Sequence, residues 1–177
     1  SMIYSDGAGA TIIEATDDEG GILAHESATF SFDEAKFLYF GNSFNKNEDP
    51  NIRYIKMYGR KIYEFALSNV PKAMASCLEK SGIAITDVKK ILIHQANEKM
   101  DEAIINRFYK LYKMETPVGI MPMSIHKLGN SSVATVPTLY DLIVNGELEG
   151  QNLNKGDVII FASVGAGMNI NAIVYQM

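Results

Sequence analysis

The most constraining feature of this sequence is the alternation of short apolar runs with longer segments of helical spacing. Residues 88–93 form an apolar run of strand length, and the segments on either side carry apolar residues at three- and four-residue steps. A second apolar run, residues 157–162, leads through a glycine turn into a last strand over 168–175. Strands that alternate with helices favour one α/β domain with a mixed sheet covered by helices.

The first third of the chain has a different pattern. Residues 3–15 and 22–32 are rich in β-branched and aromatic residues, and acidic and glycine residues separate them. This pattern predicts an opening β-hairpin with a turn over 17–21. The polar, asparagine-rich stretch 33–55 is typical of a long surface loop.

Helical spacing returns in three segments. Gly82 is placed to end the first of them. Because proline has no backbone N–H, we expect Pro71 to break or kink the first helix and Pro137 to kink the third. The expected helices cover approximately residues 56–81, 98–113 and 132–145.

Composition narrows the class of protein. The 177 residues are 47% hydrophobic and 21% charged, as in an ordinary folded domain. Sixteen basic against 21 acidic residues leave a net charge of −5, which disfavours a nucleic-acid partner. No apolar run approaches the roughly 18 residues that cross a bilayer, and no signal segment opens the chain. These features predict a cytoplasmic protein without a membrane partner.

Two local features concern the single cysteine and the first residues of the chain. Cys77, the single cysteine, cannot form an internal disulfide, and its apolar neighbours predict an inert core position. Ser1 precedes Met2, and a strand-like segment with small residues follows at once. We therefore expect the chain to be part of a longer protein.

Three groups of residues lie where strands end and helices begin, the usual place for ligands in α/β sheets. They are His94, Asn130 and the turn Gly165 to Gly167. Each also has an ordinary structural interpretation. His94 could be a satisfied histidine at a strand end, Asn130 a helix N-cap, and the glycine turn a hairpin connection.

Their order in the chain is more specific. ILIHQAN, then LGNSS, then ASVGAGMN before a last strand resembles the C-terminal half of the thiolase-superfamily condensing enzymes, most closely the β-ketoacyl-acyl-carrier-protein synthase III family. The segments SDGAGA at residue 5 and MYGRKIYEFA at residue 57 are also similar. The resemblance covers essentially the whole chain and implies a thiolase-like half-domain of a longer acyltransferase that initiates fatty acid biosynthesis.

This resemblance implies a reaction and a set of residues. An acyl group passes from coenzyme A to a cysteine, and a malonyl thioester on acyl carrier protein then loses CO₂ and attacks it. The resemblance assigns neutral donors to the enolate oxygen at His94 and Asn130, and a backbone oxyanion hole at Ala166 with Gly165. The family's nucleophilic cysteine lies in the other half, so the chain alone is expected to be inactive. No metal and no cofactor are implied.

The resemblance also defines a pocket, which we assign to Val164, Asn97, Gly59 and Arg60. Val164 stands where the family commonly has an aromatic gate residue, which implies a wider or differently shaped wall. His25–Glu26 and His126–Lys127 lack the spacing of metal ligands.

A basic stripe on the expected second helix can be identified without the family resemblance. At 100° per residue, basic side chains fall on one side of the expected second helix and apolar ones on the other. The stripe is either a solvated face or a docking surface for acidic acyl carrier protein. Lys99 stands where the family commonly has Arg. The stripe comprises Lys99, Arg107, Lys110 and Lys113, and the apolar side comprises Ile104, Ile105, Phe108, Leu111 and Tyr112.

Two other functions remain open at this point. A related condensing enzyme could use the same half-site for a starter step of secondary metabolism. A chain of only this length could instead be a non-catalytic module that binds acyl carrier protein or acyl-CoA. For the full-length enzyme, the resemblance implies acyl-CoA and acyl carrier protein as partners and a homodimer.

Overall fold

The computed structural model describes residues 4–17 and 19–177. Residues 1–3, which include the unusual start, and Asp18 of the expected first turn lie outside the described residues. No helix among the described residues is long and apolar enough to cross a membrane.

The described chain alternates strands with helices, as the sequence predicts. In chain order the elements are β1 (Gly21–Thr29), β2 (Leu38–Gly41), β3 (Tyr54–Met57), α1 (Gly59–Ser81), β4 (Val88–Ile93), α2 (Glu98–Leu111), α3 (Ile125–Leu128), α4 (Thr135–Val144), β5 (Val158–Gly165) and β6 (Asn169–Gln176).

The main sheet has the order β1-β6-β5-β4. β6 pairs antiparallel with both β1 and β5, whereas β4 runs parallel to β5. The expected mixed sheet is therefore confirmed. Since β4 and β5 are parallel, their carboxyl ends, with His94 and Gly165, lie at the same edge of the sheet.

Two helical layers cover the sheet. α1 and α2 pack on one face with residues such as Ile160, and α4 packs on the other with residues such as Ile159. Neighbouring strand residues point to opposite faces, so a continuous apolar run serves both cores. The expected α/β fold with helices over a mixed sheet is confirmed.

The expected opening hairpin is wrong. Residues 4–17 form no strand, and Tyr4 makes only an isolated parallel bridge with Asn130. Gly9 instead lies so close to α4 that a Cβ atom there would be 2.5 Å from Cγ of Pro137. β1 pairs with the last strand, β6. Alternation identified β1 as a strand, but it carries no information about which strand is its partner.

The long loop expected over 33–55 is also partly wrong. It contains a 3₁₀ turn, Ala35–Phe37, and β2, which pairs antiparallel with β3. β2 has only four residues, too few for a clear alternating pattern. The irregular part of the segment runs between β2 and β3.

Both helix-internal prolines are tolerated. Pro71 lies inside a continuous α1, which ends at Gly82 in the left-handed conformation, φ 72°, as expected. Because Pro71 lacks an N–H, the carbonyl of Leu67 has no helical partner, and Arg107 Nη1 donates to it at 3.2 Å. Pro137 is the third residue of α4, where an N–H has no helical acceptor, so no kink is needed.

Candidate functional site

A cavity of about 520 Å³ opens at the edge of the sheet where β4 and β5 end. Most of its wall is apolar and comes from segments far apart in sequence. Five of the residues assigned from the sequence to catalysis, the backbone site or the pocket wall meet there. They are His94, Asn130, Val164, Gly165 and Ala166.

His94 follows the last residue of β4. Its backbone N–H donates to the carbonyl of Ala162 on β5 at 2.9 Å, which continues the parallel pairing by one residue. The ring is half-buried, and burial lowers its pKa below the usual 6.5, although a hydrogen bond to the Ser132 backbone acts in the opposite direction. At neutral pH the imidazole is therefore neutral, with one nitrogen that donates and one that accepts.

Asn130 is buried between α3 and the 3₁₀ turn Ser132–Ala134. Its Oδ1 accepts from the Ser132 N–H at 2.9 Å, which forms an Asx turn; the expected N-cap role is not found, because Ser131 is the N-cap of the 3₁₀ turn. Its backbone carbonyl accepts from the N–H of Ser5 at 2.9 Å. The side-chain oxygen is thus engaged by the protein, and the side-chain NH₂ group remains to donate to a ligand.

The glycine turn joins β5 to β6 and is thus a hairpin connection. Ala166 begins a 3₁₀ turn, and Gly167 has φ 74°, which favours glycine. Gly165 and Ala166 both line the cavity, as does Val164 on β5. A backbone turn beside a histidine and an amide side chain brings several hydrogen-bonding groups around one space.

Three residues that the sequence assigned to the pocket do not line this cavity. Asn97 is the N-cap of α2, and its Oδ1 accepts from the Met100 N–H at 3.2 Å. Gly59 is the exposed first residue of α1. Arg60 extends into solvent and pairs with Glu64 at 2.9 Å, one helical turn away. Helix-end geometry determines the positions of all three.

The sequence analysis missed several residues around the site. Gln95 is fully buried beside His94, and three of its hydrogen bonds go to the backbone of residues 122–125. Its place inside the His-Gln-Ala-Asn motif is the signal that could have identified it. Leu38, Met57 and Ile62 contribute a wall from β2, β3 and α1, and no sequence pattern connects them with His94.

Asp101 is a buried carboxylate in the first turn of α2. Neither of its oxygens has a hydrogen-bond partner of good geometry. Its pKa is raised to about 8: burial has the largest effect, the nearby Asn97 backbone lowers the pKa in part, and Glu98 and Glu102 add to the rise. Asp101 does not line the cavity.

Three residues of the basic stripe, Lys99, Arg107 and Lys110, lie on the exposed side of α2, as predicted, whereas Lys113 lies beyond the last residue of the helix and has φ 57°. Lys99, Arg107, Lys110 and Lys113 are exposed. On the opposite side Ile104, Ile105 and Phe108 are buried and Tyr112 is half-buried, whereas Leu111, expected to be buried, is 53% exposed at the last residue of the helix. Arg107 also holds the Leu67 carbonyl, so only part of the stripe is free for a partner.

Cys77 lies in the core, as the sequence predicts. The side chain is fully buried on α1, and Sγ lies 3.4 Å from the carbonyl oxygen of Ala172, to which it donates. Burial raises the pKa of the thiol. A buried, protonated thiol is a poor nucleophile.

Comparison with known proteins identifies relatives of the whole chain. β-Ketoacyl-[acyl-carrier-protein] synthase III of Oenococcus oeni is 30% identical over 180 aligned positions, which cover 99% of this chain and 52% of the relative. The enzyme of the same name from Halalkalibacterium halodurans, numbered 1, is 31% identical over 95% of this chain and 47% of its own length. The chain thus spans about half the length of these relatives.

The fold agrees with solved structures. The crystal structure of β-ketoacyl-[acyl carrier protein] synthase III from Thermus thermophilus matches with a TM-score of 0.75 and 21% identity, over 93% of this chain and 49% of that one. This match establishes the thiolase-like fold. The family model for the C-terminal part of 3-oxoacyl-[acyl-carrier-protein] synthase III matches residues 78–177, more than half of the chain. The chain therefore belongs to the 3-oxoacyl-[acyl-carrier-protein] synthase III C-terminal family.

Proposed function

We propose that this chain is the C-terminal half of a 3-oxoacyl-[acyl-carrier-protein] synthase III that condenses an acyl group with malonyl-acyl carrier protein. One observation carries the proposal. His94 and Asn130, 36 positions apart in the sequence, line one cavity together with the Gly165–Ala166 turn. Family membership supports the same assignment.

The chemistry requires stabilisation of negative charge. The bond between the malonyl α-carbon and the carboxylate breaks, CO₂ leaves, and the electron pair moves onto the α-carbon and the thioester oxygen as an enolate. The Asn130 NH₂ group can donate to that oxygen, and so can the neutral His94 imidazole in the tautomer whose N–H faces the cavity. Fixed donors in a largely apolar cavity stabilise such charge by several kcal/mol without reorganisation.

The enolate carbon then attacks the carbonyl carbon of an acyl-thioester, and the thiolate leaves. Ala166 N–H, with Gly165, is proposed to stabilise the oxyanion of that second step. Cys77 cannot carry the acyl group because its sulfur is buried and protonated. We propose that a cysteine outside this chain supplies the thiol, in the half of the relatives that the chain does not match.

The complete protein encoded by the gene tests the proposal. Incubated with an acyl-CoA and ¹⁴C-labelled malonyl-acyl carrier protein, it should release labelled CO₂ and form a 3-oxoacyl-carrier product. Binding of acyl carrier protein without CO₂ release would instead identify a non-catalytic module.

A starter condensation of secondary metabolism is a second candidate, and Val164 favours it. Valine is a small side chain on the wall beside the glycine turn, which leaves room for a branched or longer acyl group. A priming β-ketosynthase of the R1128 polyketide pathway has a similar fold, with a TM-score of 0.72 and 21% identity. Relative kcat/KM for acetyl-, branched and medium-chain acyl-CoA distinguishes the two candidates, because preference for a bulky starter supports the second.

A further inference from the structure

Gln95 connects the histidine segment of the site to the asparagine segment. Its side chain is fully buried, and its Nε2 donates to the carbonyl of Pro122 at 2.9 Å. Its Oε1 accepts from the backbone N–H groups of Ser124 and Ile125 at 2.8 and 2.9 Å. The Ser124 hydroxyl lies 3.4 Å from the same oxygen. One amide therefore binds three backbone groups within residues 122–125 of another segment.

The two N–H groups that Gln95 binds belong to the start of α3. The first N–H groups of a helix have no helical acceptor, and the Ser124 side chain does not cap α3. Gln95 therefore supplies the missing cap from outside the helix. α3 has only four residues, and Gly129 ends it with an N–H bond of 2.8 Å to the carbonyl of Ile125. Asn130 follows directly.

Residues 94 and 95 are thus connected to both proposed donors. The side chain of His94 lines the cavity, while that of its neighbour Gln95 points to the segment that carries α3 and Asn130. We propose that Gln95 is a positioning residue that sets the separation between the His94 imidazole and the Asn130 amide. The inference rests on the proposed function, since two donors act on one oxygen only if both lie about 2.7–3.1 Å from it.

Gln95→Glu provides a test within one protein. A protonated carboxyl group keeps an acceptor for the two N–H groups and an O–H donor for the Pro122 carbonyl. When ionised, it has no donor and repels that carbonyl oxygen. In the complete protein, we expect the decarboxylation rate of the variant to approach the wild-type rate at acid pH. It should fall about 10- to 100-fold below the wild-type rate as pH rises, because small misplacements of reacting groups are costly.

Transfer of the acyl group from acyl-CoA to the protein should change little, because this step does not use the two donors together. Asn69→Asp is the matched control. Its amide also donates to a backbone carbonyl, that of Phe65 at 3.0 Å, but on α1 and away from the cavity. Both steps of this control should follow the wild type at every pH.

Two kinetic results would overturn the inference. Gln95→Glu could decarboxylate like the wild type throughout, or it could lose both steps in parallel with pH, as a purely structural residue would. Failure of the proposed function is distinguishable, because the wild type would then release no CO₂ at any pH. In that case, crystal structures of Gln95→Glu at acid and alkaline pH decide the inference, and an unchanged separation between the His94 ring and the Asn130 amide would reject it.

Discussion

At the scale of single residues, His94 and Asn130 are each held by contacts that leave one polar group available. The backbone of His94 is paired with Ala162 on β5, and burial favours the neutral ring. The oxygen of Asn130 is used by Ser132, and the nitrogen remains to donate. Two ordinary structural roles, a strand end and an Asx turn, are therefore compatible with the proposed donor site.

Replacing either donor by alanine should slow malonyl decarboxylation by the complete protein by about 10²- to 10³-fold, the usual loss for one oxyanion donor. Acyl transfer from acyl-CoA should be affected much less. Rates of labelled CO₂ release and of protein acylation measure the two steps separately. His126→Ala and Asn145→Ala, at exposed positions, serve as controls. If His94→Ala and Asn130→Ala both decarboxylated at the control rates, the site assignment would be withdrawn.

Asp101 gives a pH-dependent prediction for stability. Its pKa rises from 3.8 to about 8 on folding because the carboxylate is buried without a good hydrogen bond. The folded state therefore retains a proton that the unfolded state releases, and the free energy of unfolding should fall as pH rises from about 4 to 8. Asp101→Asn should remove this dependence.

Urea unfolding of wild type and Asp101→Asn at pH 5 and pH 8 measures the effect. We expect the variant to be more stable than the wild type at pH 8 by at least about 1 kcal/mol, since one pKa unit corresponds to 1.36 kcal/mol. The difference should be smaller at pH 5. If wild type and Asp101→Asn had equal free energies of unfolding at pH 5 and at pH 8, the raised pKa of Asp101 would be contradicted.

At the scale of elements, α1 and α2 are joined by a bond that compensates for a proline. Arg107 on α2 donates to the Leu67 carbonyl, which Pro71 leaves without a helical partner. Arg107→Ala should therefore destabilise the protein by about 1 kcal/mol, the net value of a hydrogen bond. In a Pro71→Ala background the restored N–H can bind Leu67, so the same substitution should cost less.

A double-mutant cycle of the two substitutions, followed by urea unfolding, measures this coupling. Additive effects would mean that the contact between Arg107 and Leu67 contributes nothing to stability. The result also affects the choice of residues for a docking test. Because Arg107 joins two helices, its replacement would change stability as well as the surface offered to a partner.

Lys99 and Lys110 are therefore the better test of the basic stripe. Their reversal to Glu should raise the KM for malonyl-acyl carrier protein in the complete protein and weaken its salt dependence. Turnover of free malonyl-CoA should hardly change, because exposed charges act on encounter and are screened over about 10 Å at 0.1 M salt.

Lys89→Glu with Lys155→Glu is the control for this reversal. These two lysines are also exposed; Lys89 is the second residue of β4 and Lys155 precedes β5, so both lie at the end of the sheet away from the cavity. The change in net charge is the same. An equal rise in KM for both pairs would attribute the effect to total charge and contradict docking at α2.

At the scale of the whole molecule, the proposed site has no accessible thiol among the described residues, since Cys77 lies in the core. We expect the 177-residue chain, tested without further sequence, to remain unlabelled by radioactive acyl-CoA, because Cys77 is buried and protonated. The complete protein should be labelled, and Cys77→Ala should not reduce the label. Mass spectrometry of proteolytic peptides locates the acyl group, and an acyl group on Cys77 would overturn the inert-core assignment.

Local patterns were sufficient for much of this protein. Helical spacing and Gly82 predicted most of α1 and its end, although the first expected residues, 56 and 57, lie in β3. The apolar run predicted β4, and the order of motifs predicted the family and the cavity residues His94, Asn130 and Ala166. These features depend on short-range geometry or on residue order, both of which can be read from the sequence. The same patterns predicted the inert position of Cys77.

Only the tertiary structure decided which distant segments meet. β1 pairs with β6 and not with residues 4–17, and Gln95 caps a helix that begins 30 residues later. Asn97, Gly59 and Arg60 match the family motif, yet helix-end geometry keeps them out of the cavity lining. Strand alternation determines which face a side chain occupies but not its partner strand, because partner choice depends on the packing of the whole sheet. Contacts of that kind exist only after the chain has folded.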